Sequence, residues 1–313
     1  MQSEIEKTEK NIIYNVRFSN LTDLYNYLKS NPPINRNVFT DPSSFKNKES
    51  FYGESLEKSI EYCISGYKYD YDNFLKESML LKNATKEIIE NRKVVRSLYN
   101  GAPLAPLVAA GVPDCMISCT RDNKSTVRNI YINLAYPNFI TDAQIINRGI
   151  ITLYLIQTLE ERGEIINFHT FDLSFEYSFM GYPKETINIE INLKKSGDLF
   201  LDIEKCYFPI RSKEFLRRIM FRVQESIPVK YKDWQYSYGK SANEEQIRSF
   251  YNLKPTDIVI SNPTEMGIMG NNLYEDTLNV INKLKMKDEF NTEKIKKMKD
   301  EFNTEKIKKL IHK

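Results

Sequence analysis

Residues 128–173 read RNIYINLAYPNFITDAQIINRGIITLYLIQTLEERGEIINFHTFDL. Ile130, Ile132 and Leu134 are separated by single polar or tyrosine residues, and this alternation predicts a strand with one strongly apolar face. A second apolar run begins at Ile165 and has the length of another strand. Two strands separated by about thirty residues predict a crossover between parallel neighbours in one sheet.

The residues between these strands predict a helix with both ends marked. Thr141 and Gln144 have the spacing of a capping box, in which the two side chains satisfy free backbone donors at a helix start. Gly163 follows the last apolar residue, at the position where helices end in a left-handed conformation. The stretch is therefore predicted to form a right-handed β-α-β unit.

Downstream of this unit the pattern predicts an antiparallel hairpin. Apolar and polar residues alternate over 187–193, the sequence at 194–198 is typical of a turn, and 199–208 is the returning strand. The clean polar face predicts a partly exposed edge of the sheet. The elements predicted after the hairpin are a basic helix at about 212–226, a short helix near 243–251, a strand at 257–261 and a helix at 274–284.

The N-terminal part predicts mostly helices and loops. A short strand at 12–18 precedes a helix at 21–28, and helical spacing recurs at 54–62 and 71–98. Glycines and prolines interrupt the pattern at about 100–113. Three regions follow from these changes: an N-terminal helical and loop region at 1–125, an α/β domain at 126–284, and a charged tail at 285–313.

The tail contains a perfect tandem duplication. The sequence MKDEFNTEKIKK occupies residues 286–297 and again 298–309. Twelve residues rotate equivalent side chains by about 120° around a helix, so Phe290 and Phe302 are not expected to share one stripe. This argues against a coiled coil. A solvated helix that packs on nothing and a basic tether to a membrane, nucleic acid or protein are the two readings of this tail.

Charge and composition limit the classes of function. The net charge is +3, but residues 283–313 carry eleven lysines and six acidic residues, so the other 282 residues carry 34 basic and 36 acidic ones. A slightly acidic body is not typical of a general polyanion binder. The first ten residues lack the apolar segment of a secretory signal, and no apolar run is long enough to cross a membrane. A cytoplasmic protein without a membrane partner is expected.

Five short motifs carry a resemblance to a known family. They are Gly111–Met116 (GVPDCM), Arg148-Gly149, Leu159–Gly163 (LEERG), Trp234–Gly239 (WQYSYG) and Asp257–Ile260 (DIVI). The order of elements around them resembles a von Willebrand A-type domain, and the motifs resemble those of an uncharacterised group of bacteriophage proteins. The likeness covers about half of the chain. It implies an α/β fold with a von Willebrand A-like mixed sheet flanked by helices, an N-terminal mostly helical region and a helical C-terminal tail.

The resemblance also implies that a metal site has been lost. Metal-binding members of the class carry a D-x-S-x-S motif after the first strand, whose oxygens hold Mg²⁺. The matching residues here are Asn133-Leu134-Ala135-Tyr136-Pro137, and among them only the asparagine and tyrosine side chains carry an oxygen. No metal and no cofactor are therefore expected.

Few residues offer catalytic chemistry. His169 is the one histidine within the predicted fold, and its place in a strand favours a structural role. Cys115 and Cys119 form a single C-x₃-C pair, whereas a closed zinc site needs four ligands. The sequence contains no nucleophile elbow, P-loop or dinucleotide-binding glycine motif. No catalytic residue is predicted.

The binding site is predicted from the fold. In open α/β sheets, ligands bind in the crevice beyond the carboxyl ends of the parallel strands. The polar or aromatic residues expected there are Tyr136, Asn138, Asp172, Ser174, Asn262, Thr264 and Glu265. The prediction is a non-enzymatic, phage-type binding or assembly module that contacts a protein partner at this metal-free cleft.

A second hypothesis assigns the chain to nucleic-acid binding in phage replication or transcription. Arg211, Arg218 and Arg222 are predicted to lie on one helix face, and Trp234 follows in an aromatic loop. Arginines beside aromatic rings are typical of surfaces that stack single-stranded bases. The lysine-rich tail would add electrostatic attraction. An enzyme of another type is the third hypothesis.

Overall fold

The computed structural model describes residues 2–7, 11–31, 53–83, 93–97, 102–103, 105–113, 115–120, 127–175, 184–196, 201–227, 241–286, 290 and 292–311. The strands are β1 Gln2–Lys7, β2 Asn11–Phe18, β3 Lys93–Ser97, β4 Ala102–Pro103, β5 Met116–Thr120, β6 Val127–Asn133, β7 Ile165–Phe175, β8 Lys184–Lys194 and β9 Ile258–Ile260. The helices are α1 Leu21–Ser30, α2 Leu56–Ser65, α3 Tyr71–Asn83, α4 Ala105–Ala109, α5 Asp142–Glu161, α6 Ile203–Arg211, a π-helical segment Phe215–Met220 that leads into α7 Phe221–Glu225, α8 Glu244–Tyr251, α9 Leu273–Lys283 and α10 Thr292–Ile311.

A mixed six-stranded sheet forms the centre of the fold, in the order β1-β2-β8-β7-β6-β9. β6 pairs in parallel with β7 and with β9, and β2 pairs in parallel with β8, while the β7–β8 and β1–β2 pairs are antiparallel. The predicted capping box at the start of α5 is present, and Gly163 has a φ of 89° just after the helix. The predicted β-α-β unit and the α/β class with helices flanking a mixed sheet are therefore confirmed.

The predicted hairpin is wrong in its partner and in its position within the sheet. β8 pairs with the preceding strand β7, and residues 203–208 of the returning strand predicted at 199–208 lie in helix α6, which has Asp202 as its N-cap. β8 lies between β2 and β7 instead of at an edge. Period-two alternation reports that the two faces of a strand differ, but it does not say which strands flank it.

The two faces of the sheet bury different clusters. Ile130 and Ile132 belong to a large core built with the helices, whereas Tyr131 packs with a smaller cluster that includes Phe171 and Val259. α8 covers this smaller cluster and contributes Ile247. Helix α5 is buried on nearly all sides, which explains why its apolar residues do not form a single stripe.

Two residues of the Arg148-Gly149 motif have structural roles. The Arg148 guanidinium is buried, and its Nη1 donates a 2.7 Å hydrogen bond to the carbonyl of Asn133 at the end of β6. A Cβ atom at Gly149 would lie 3.1 Å from the carbonyl oxygen of Ile210 in α6. The missing side chain therefore permits α5 and α6 to pack closely.

We expect Gly149→Val to lower the free energy of unfolding by about 2 kcal/mol, because the added methyl groups meet a backbone that cannot rotate away. Ala143→Val is the control, since Ala143 is exposed on the same helix. It should cost less than about 1 kcal/mol, the scale of helix propensity alone. Urea unfolding followed by far-ultraviolet circular dichroism measures both changes, and equal losses would contradict the close-packing explanation.

The N-terminal region contributes to the same sheet. Strands β1 and β2, from residues 2–18, extend the sheet across the boundary predicted near residue 125, and the division into three regions stays a prediction. The long helix predicted at 71–98 is wrong near its end. α3 is Tyr71–Asn83, residues 84–92 lie outside the described residues, and Lys93–Ser97 is the strand β3, paired with β5.

The expectation that the tail packs on nothing is wrong for its first repeat. Met286, Phe290 and Ile295 are buried and belong to the main core. In the second repeat, Phe302 is 40% exposed and its ring lies 6.3 Å from that of Tyr274. The two phenylalanines thus have different environments, as the rotation between repeats predicts.

Candidate functional site

Tyr136, predicted to line the crevice, is buried between two arginines. Its ring lies 5.4 Å from the guanidinium carbon of Arg148 and 5.6 Å from that of Arg217. Burial raises the pKa of the Tyr136 hydroxyl to about 12, although both arginines oppose the shift. The loop after β6 therefore places the positive charges of Arg148 and Arg217 beside Tyr136, and these charges disfavour the binding of a metal cation there.

Asp172 and Ser174 face the helices and are buried. The Asp172 carboxylate accepts hydrogen bonds from Gln224 in α7 at 2.8 Å and from the Ser174 hydroxyl at 3.1 Å. Burial raises the pKa of Asp172 to about 6, and the two hydrogen bonds counteract part of this effect. These residues join a strand to a helix and are not exposed to a ligand.

The remaining predicted crevice residues lie in turns. The Asn262 side chain accepts a 3.1 Å hydrogen bond from the backbone N–H of Glu265, within a turn that also contains the exposed Thr264. Asn138 is exposed in the turn before α5. Among the described residues, the hydrogen bonds of Asn262 and of Asp172 are made to different partners, and the predicted crevice site stays a prediction.

The three arginines predicted to lie on one helix face belong to three different helical segments. Arg211 ends α6, Ser212 breaks the helix, and the π-helical segment changes the helical period before Arg222. Arg222 is buried and donates hydrogen bonds to the Asn31 carbonyl and the Ser226 hydroxyl, both at 2.8 Å. Arg218 donates to the Glu54 carbonyl at 2.9 Å. Trp234 lies outside the described residues.

A groove of about 880 Å³ lies where the start of α2, the 66–70 link, the start of α5 and the 211–218 segment meet. We call it the Tyr69 groove and define it by Tyr62, Tyr67, Tyr69, Arg211, Lys213 and Arg218. The start of α5 follows the loop after β6, so the groove lies near the carboxyl end of that strand. This is the end of the parallel strands at which ligands bind in open α/β sheets. None of the seven predicted crevice residues lines it.

The link between α2 and α3 presents Tyr69 to solvent. α2 ends before Gly66, which has a φ of 77°, and Asp70 adopts a φ of 57° just before α3. The Tyr207 hydroxyl donates a 2.5 Å hydrogen bond to the Tyr69 carbonyl, and this bond fixes the backbone of the link against α6. The side chain of Tyr69 nevertheless remains 70% exposed.

Aromatic rings form the floor beneath the link. The ring of Tyr67 lies 5.0 Å from that of Tyr62, 5.4 Å from that of Phe208 and 5.8 Å from that of Tyr207. Burial raises the pKa of Tyr67, as does the nearby Glu214 carboxylate, and burial raises the pKa of Tyr207 to about 12. Both tyrosines are therefore neutral at physiological pH. A second cavity of about 510 Å³ adjoins the groove and shares Tyr67 and Asp70 with it.

Arg211 lies within these rings. Its guanidinium carbon is 5.2 Å from the ring centre of Tyr69, 5.7 Å from that of Tyr67 and 5.9 Å from that of Tyr207. Its side chain is only 10% exposed, and its Nη2 atom is 3.8 Å from the Asp70 carboxylate, which is longer than a hydrogen bond. In the part of the chain that the structure describes, its Nε has no hydrogen-bond partner.

The walls of the groove carry charges of both signs. Five carboxylates and four cationic side chains line it. Lys213 pairs with Asp142 and Lys58 pairs with Glu54, each at 3.0 Å. The groove is therefore nearly neutral overall, with local fields from individual side chains.

A family model described as "Domain of unknown function (DUF7192)" matches residues 5–297. The chain belongs to this family. No curated protein and no solved structure matches the chain. The DUF7192 match includes the whole sheet, apart from the first residues of β1, and all residues that define the Tyr69 groove. It ends at Lys297, the last residue of the first tail repeat. The von Willebrand A-like and bacteriophage resemblances stay predictions.

Three reactive side chains of this DUF7192 chain, Cys63, Cys206 and His169, are held in structural positions. Burial raises the pKa of the Cys63 thiol to about 12 and also raises that of Cys206, which keeps both thiols protonated. His169 stacks on Tyr131, and its Nδ1 lies 2.9 Å from a Glu190 oxygen, on the sheet face that α8 covers. Among the described residues, no group of three or more His, Cys, Asp or Glu side chains is arranged to hold a metal, and no helix has the length and hydropathy of a membrane span.

Proposed function

We propose that this DUF7192 chain is a non-enzymatic binding module that engages a protein partner at the Tyr69 groove. The observation that carries the proposal is the pairing of a 70% exposed tyrosine with an arginine that is nearly buried beside it, at a groove of about 880 Å³. Tyrosine and arginine are enriched among the residues that dominate binding energy at protein interfaces. The proposal keeps the protein-binding role predicted from the sequence and moves it away from the crevice.

The surroundings of Tyr69 support this role. The link is held by the Tyr207 hydrogen bond and by the ring contacts of Tyr67, so the exposed ring is presented on an ordered backbone. A preorganised contact loses less conformational entropy on binding than a mobile one. The mixed charges of the walls suit a protein surface, which carries both signs, better than a polyanion.

Site-specific photo-crosslinking tests the proposal. A benzoylphenylalanine residue at position 69 should form an adduct of defined mass in a lysate of the source organism. The same residue at position 127 is the control, because Val127 is 48% exposed at the opposite end of β6 from the groove. Glu57→Arg at the groove rim should change the adduct yield by at least about fivefold, because reversing a charge on the contact surface alters its electrostatic complementarity with the partner.

Glu245→Arg is the matched control for this charge reversal. Glu57 and Glu245 are both exposed, but only Glu57 lines the groove. Glu245→Arg should leave the adduct at position 69 unchanged. The proposal is refuted if no adduct forms at position 69, if position 127 gives the same adduct, or if the two charge reversals have equal effects.

A further inference from the structure

We infer that Arg211 is the anchor of the groove and binds a carboxylate of the partner, from an aspartate or glutamate side chain. This inference rests on the proposed function and specifies the chemistry of the partner. It starts from the electrostatic state of a single side chain. A guanidinium that is only 10% exposed normally forms hydrogen bonds to carboxylates or carbonyls, because removal from water is otherwise unfavourable.

Arg211 lacks such a direct bond to its nearest carboxylate. The 3.8 Å separation between its Nη2 and the Asp70 oxygen leaves an electrostatic contact without a hydrogen bond. Asp70 is fixed in that position, since its other oxygen accepts a 2.5 Å hydrogen bond from Asn73 and its backbone φ is 57°. A carboxylate from outside can approach the guanidinium from the groove at bidentate distance, whereas Asp70 is held too far away.

The tyrosine rings orient this guanidinium. Three ring centres lie within 5.9 Å of its central carbon, so cation–π contacts orient the planar group beside the 3.8 Å ion pair with Asp70. Held in this way, the guanidinium loses little freedom when its donors bind a carboxylate. The exposed ring of Tyr69 would then cover the ion pair and exclude water from it.

The other cations of the groove are already engaged. Lys213 is 3.0 Å from Asp142, and Arg218 donates to the Glu54 carbonyl. The groove therefore offers one oriented guanidinium among five carboxylates. A polyphosphate chain would place several negative charges against these carboxylates, whereas a single acidic side chain on a protein segment would place one charge beside Arg211. This favours a carboxylate over a nucleic acid as the ligand.

Two matched peptides test the inference. N-acetyl-Glu-Tyr-Glu-amide and N-acetyl-Gln-Tyr-Gln-amide have the same shape and differ in their charged groups. We expect the glutamate peptide to bind the full chain at least about tenfold more tightly at low ionic strength, the scale of a charge-assisted bidentate pair. Nuclear magnetic resonance titration of the tyrosine ring signals measures both affinities.

Three variants locate the effect. Arg211→Gln should abolish the difference between the peptides, and Arg211→Lys, which keeps the charge without the planar fork, should retain only part of it. Lys254→Gln is the control for loss of a positive charge, because Lys254 is exposed and does not line the groove, and it should change the affinity for the glutamate peptide by less than about twofold. Thermal unfolding of each variant establishes that it is folded.

The outcomes separate this inference from the proposed function. Equal affinity of wild-type protein for the two peptides, binding of neither, or an Arg211→Gln variant with unchanged preference would overturn carboxylate recognition while the photo-crosslink at position 69 still reports on protein binding. The last measurement is the affinity of the full chain for a twelve-nucleotide single-stranded DNA. If it binds more tightly than the glutamate peptide and loses that binding in Arg211→Gln, the groove recognises nucleic acid and the inference is wrong.

Discussion

Replacing Phe290 by alanine is expected to lower the free energy of unfolding by about 3–5 kcal/mol, whereas the same change at Phe302 should cost less than about 1 kcal/mol. The two residues occupy equivalent positions of identical repeats. Phe290 is 4% exposed, and its ring lies 5.5 Å from that of Tyr154 and 5.6 Å from the Arg162 guanidinium carbon. Phe302 is 40% exposed. Identical local sequence and different burial make this a direct test of tertiary packing.

Urea unfolding with fluorescence and circular dichroism detection measures both variants. A deletion of residues 298–313 provides a second comparison, because it removes the repeat that follows the family match. This deletion loses the Lys299–Glu275 ion pair, the part-buried Asn272–Asn303 hydrogen bond and the contact of the half-exposed Phe302 ring with Tyr274. It should therefore cost far less than Phe290→Ala. Similar losses from the two phenylalanine changes would show that the first repeat is not part of the core.

The second large effect concerns the pH dependence of stability. The pKa of Asp172 is about 6 in the folded protein and 3.8 when the group is unperturbed. Between these values the folded chain retains a proton that the unfolded chain releases, so the stability contributed by this residue falls as pH rises. The loss approaches about 3 kcal/mol once pH exceeds the folded pKa.

Asp172→Asn removes this titration, since an amide stays neutral. The difference in unfolding free energy between variant and wild type should shift by up to about 3 kcal/mol in favour of the variant between about pH 4 and about pH 7.5. Asp202→Asn is the control. Burial of Asp202 acts to raise its pKa, but hydrogen bonds from Lys205 outweigh burial and lower it. The difference in unfolding free energy between Asp202→Asn and wild type should therefore shift in favour of wild type as pH rises. A pH-independent difference for Asp172→Asn would mean that the carboxyl group is solvated.

Much of the fold could be predicted from local pattern. The alternation around Ile130, the Thr141–Gln144 capping box and Gly163 all mark features that depend on near neighbours, and the structure contains each of them. The hairpin error arose where the partner of a strand had to be chosen. The polar residues of β8 face amide and carboxylate partners across the sheet, as in the hydrogen bond from Asn188 to Asn15 on β2. A pattern of neighbouring residues cannot predict a hydrogen bond between residues 173 positions apart in the sequence.

The candidate site was less predictable than the fold. The preference of ligands for the carboxyl ends of parallel strands correctly indicated the region near the end of β6. The residues predicted there are buried or form turns, as Asp172 and Asn262 illustrate. Arg211 was singled out from the sequence for nucleic-acid binding, whereas Tyr67 and Tyr69 were not singled out at all. Gly66 and Asp70, which have positive φ angles, bound a tight link between α2 and α3. The two tyrosines between them were the sequence feature that could have indicated this site.

The sequence by itself determined the α/β class, the parallel β6–β7 pair and the ends of α5. These features follow from side-chain period, capping chemistry and helix geometry, which act over a few residues. Only the tertiary structure decided the neighbours of β8, the burial of Phe290 and the meeting of Arg211 with Tyr67 and Tyr69. Each of these depends on contacts between distant segments, whose free energy comes from burial and pairing that no local pattern encodes.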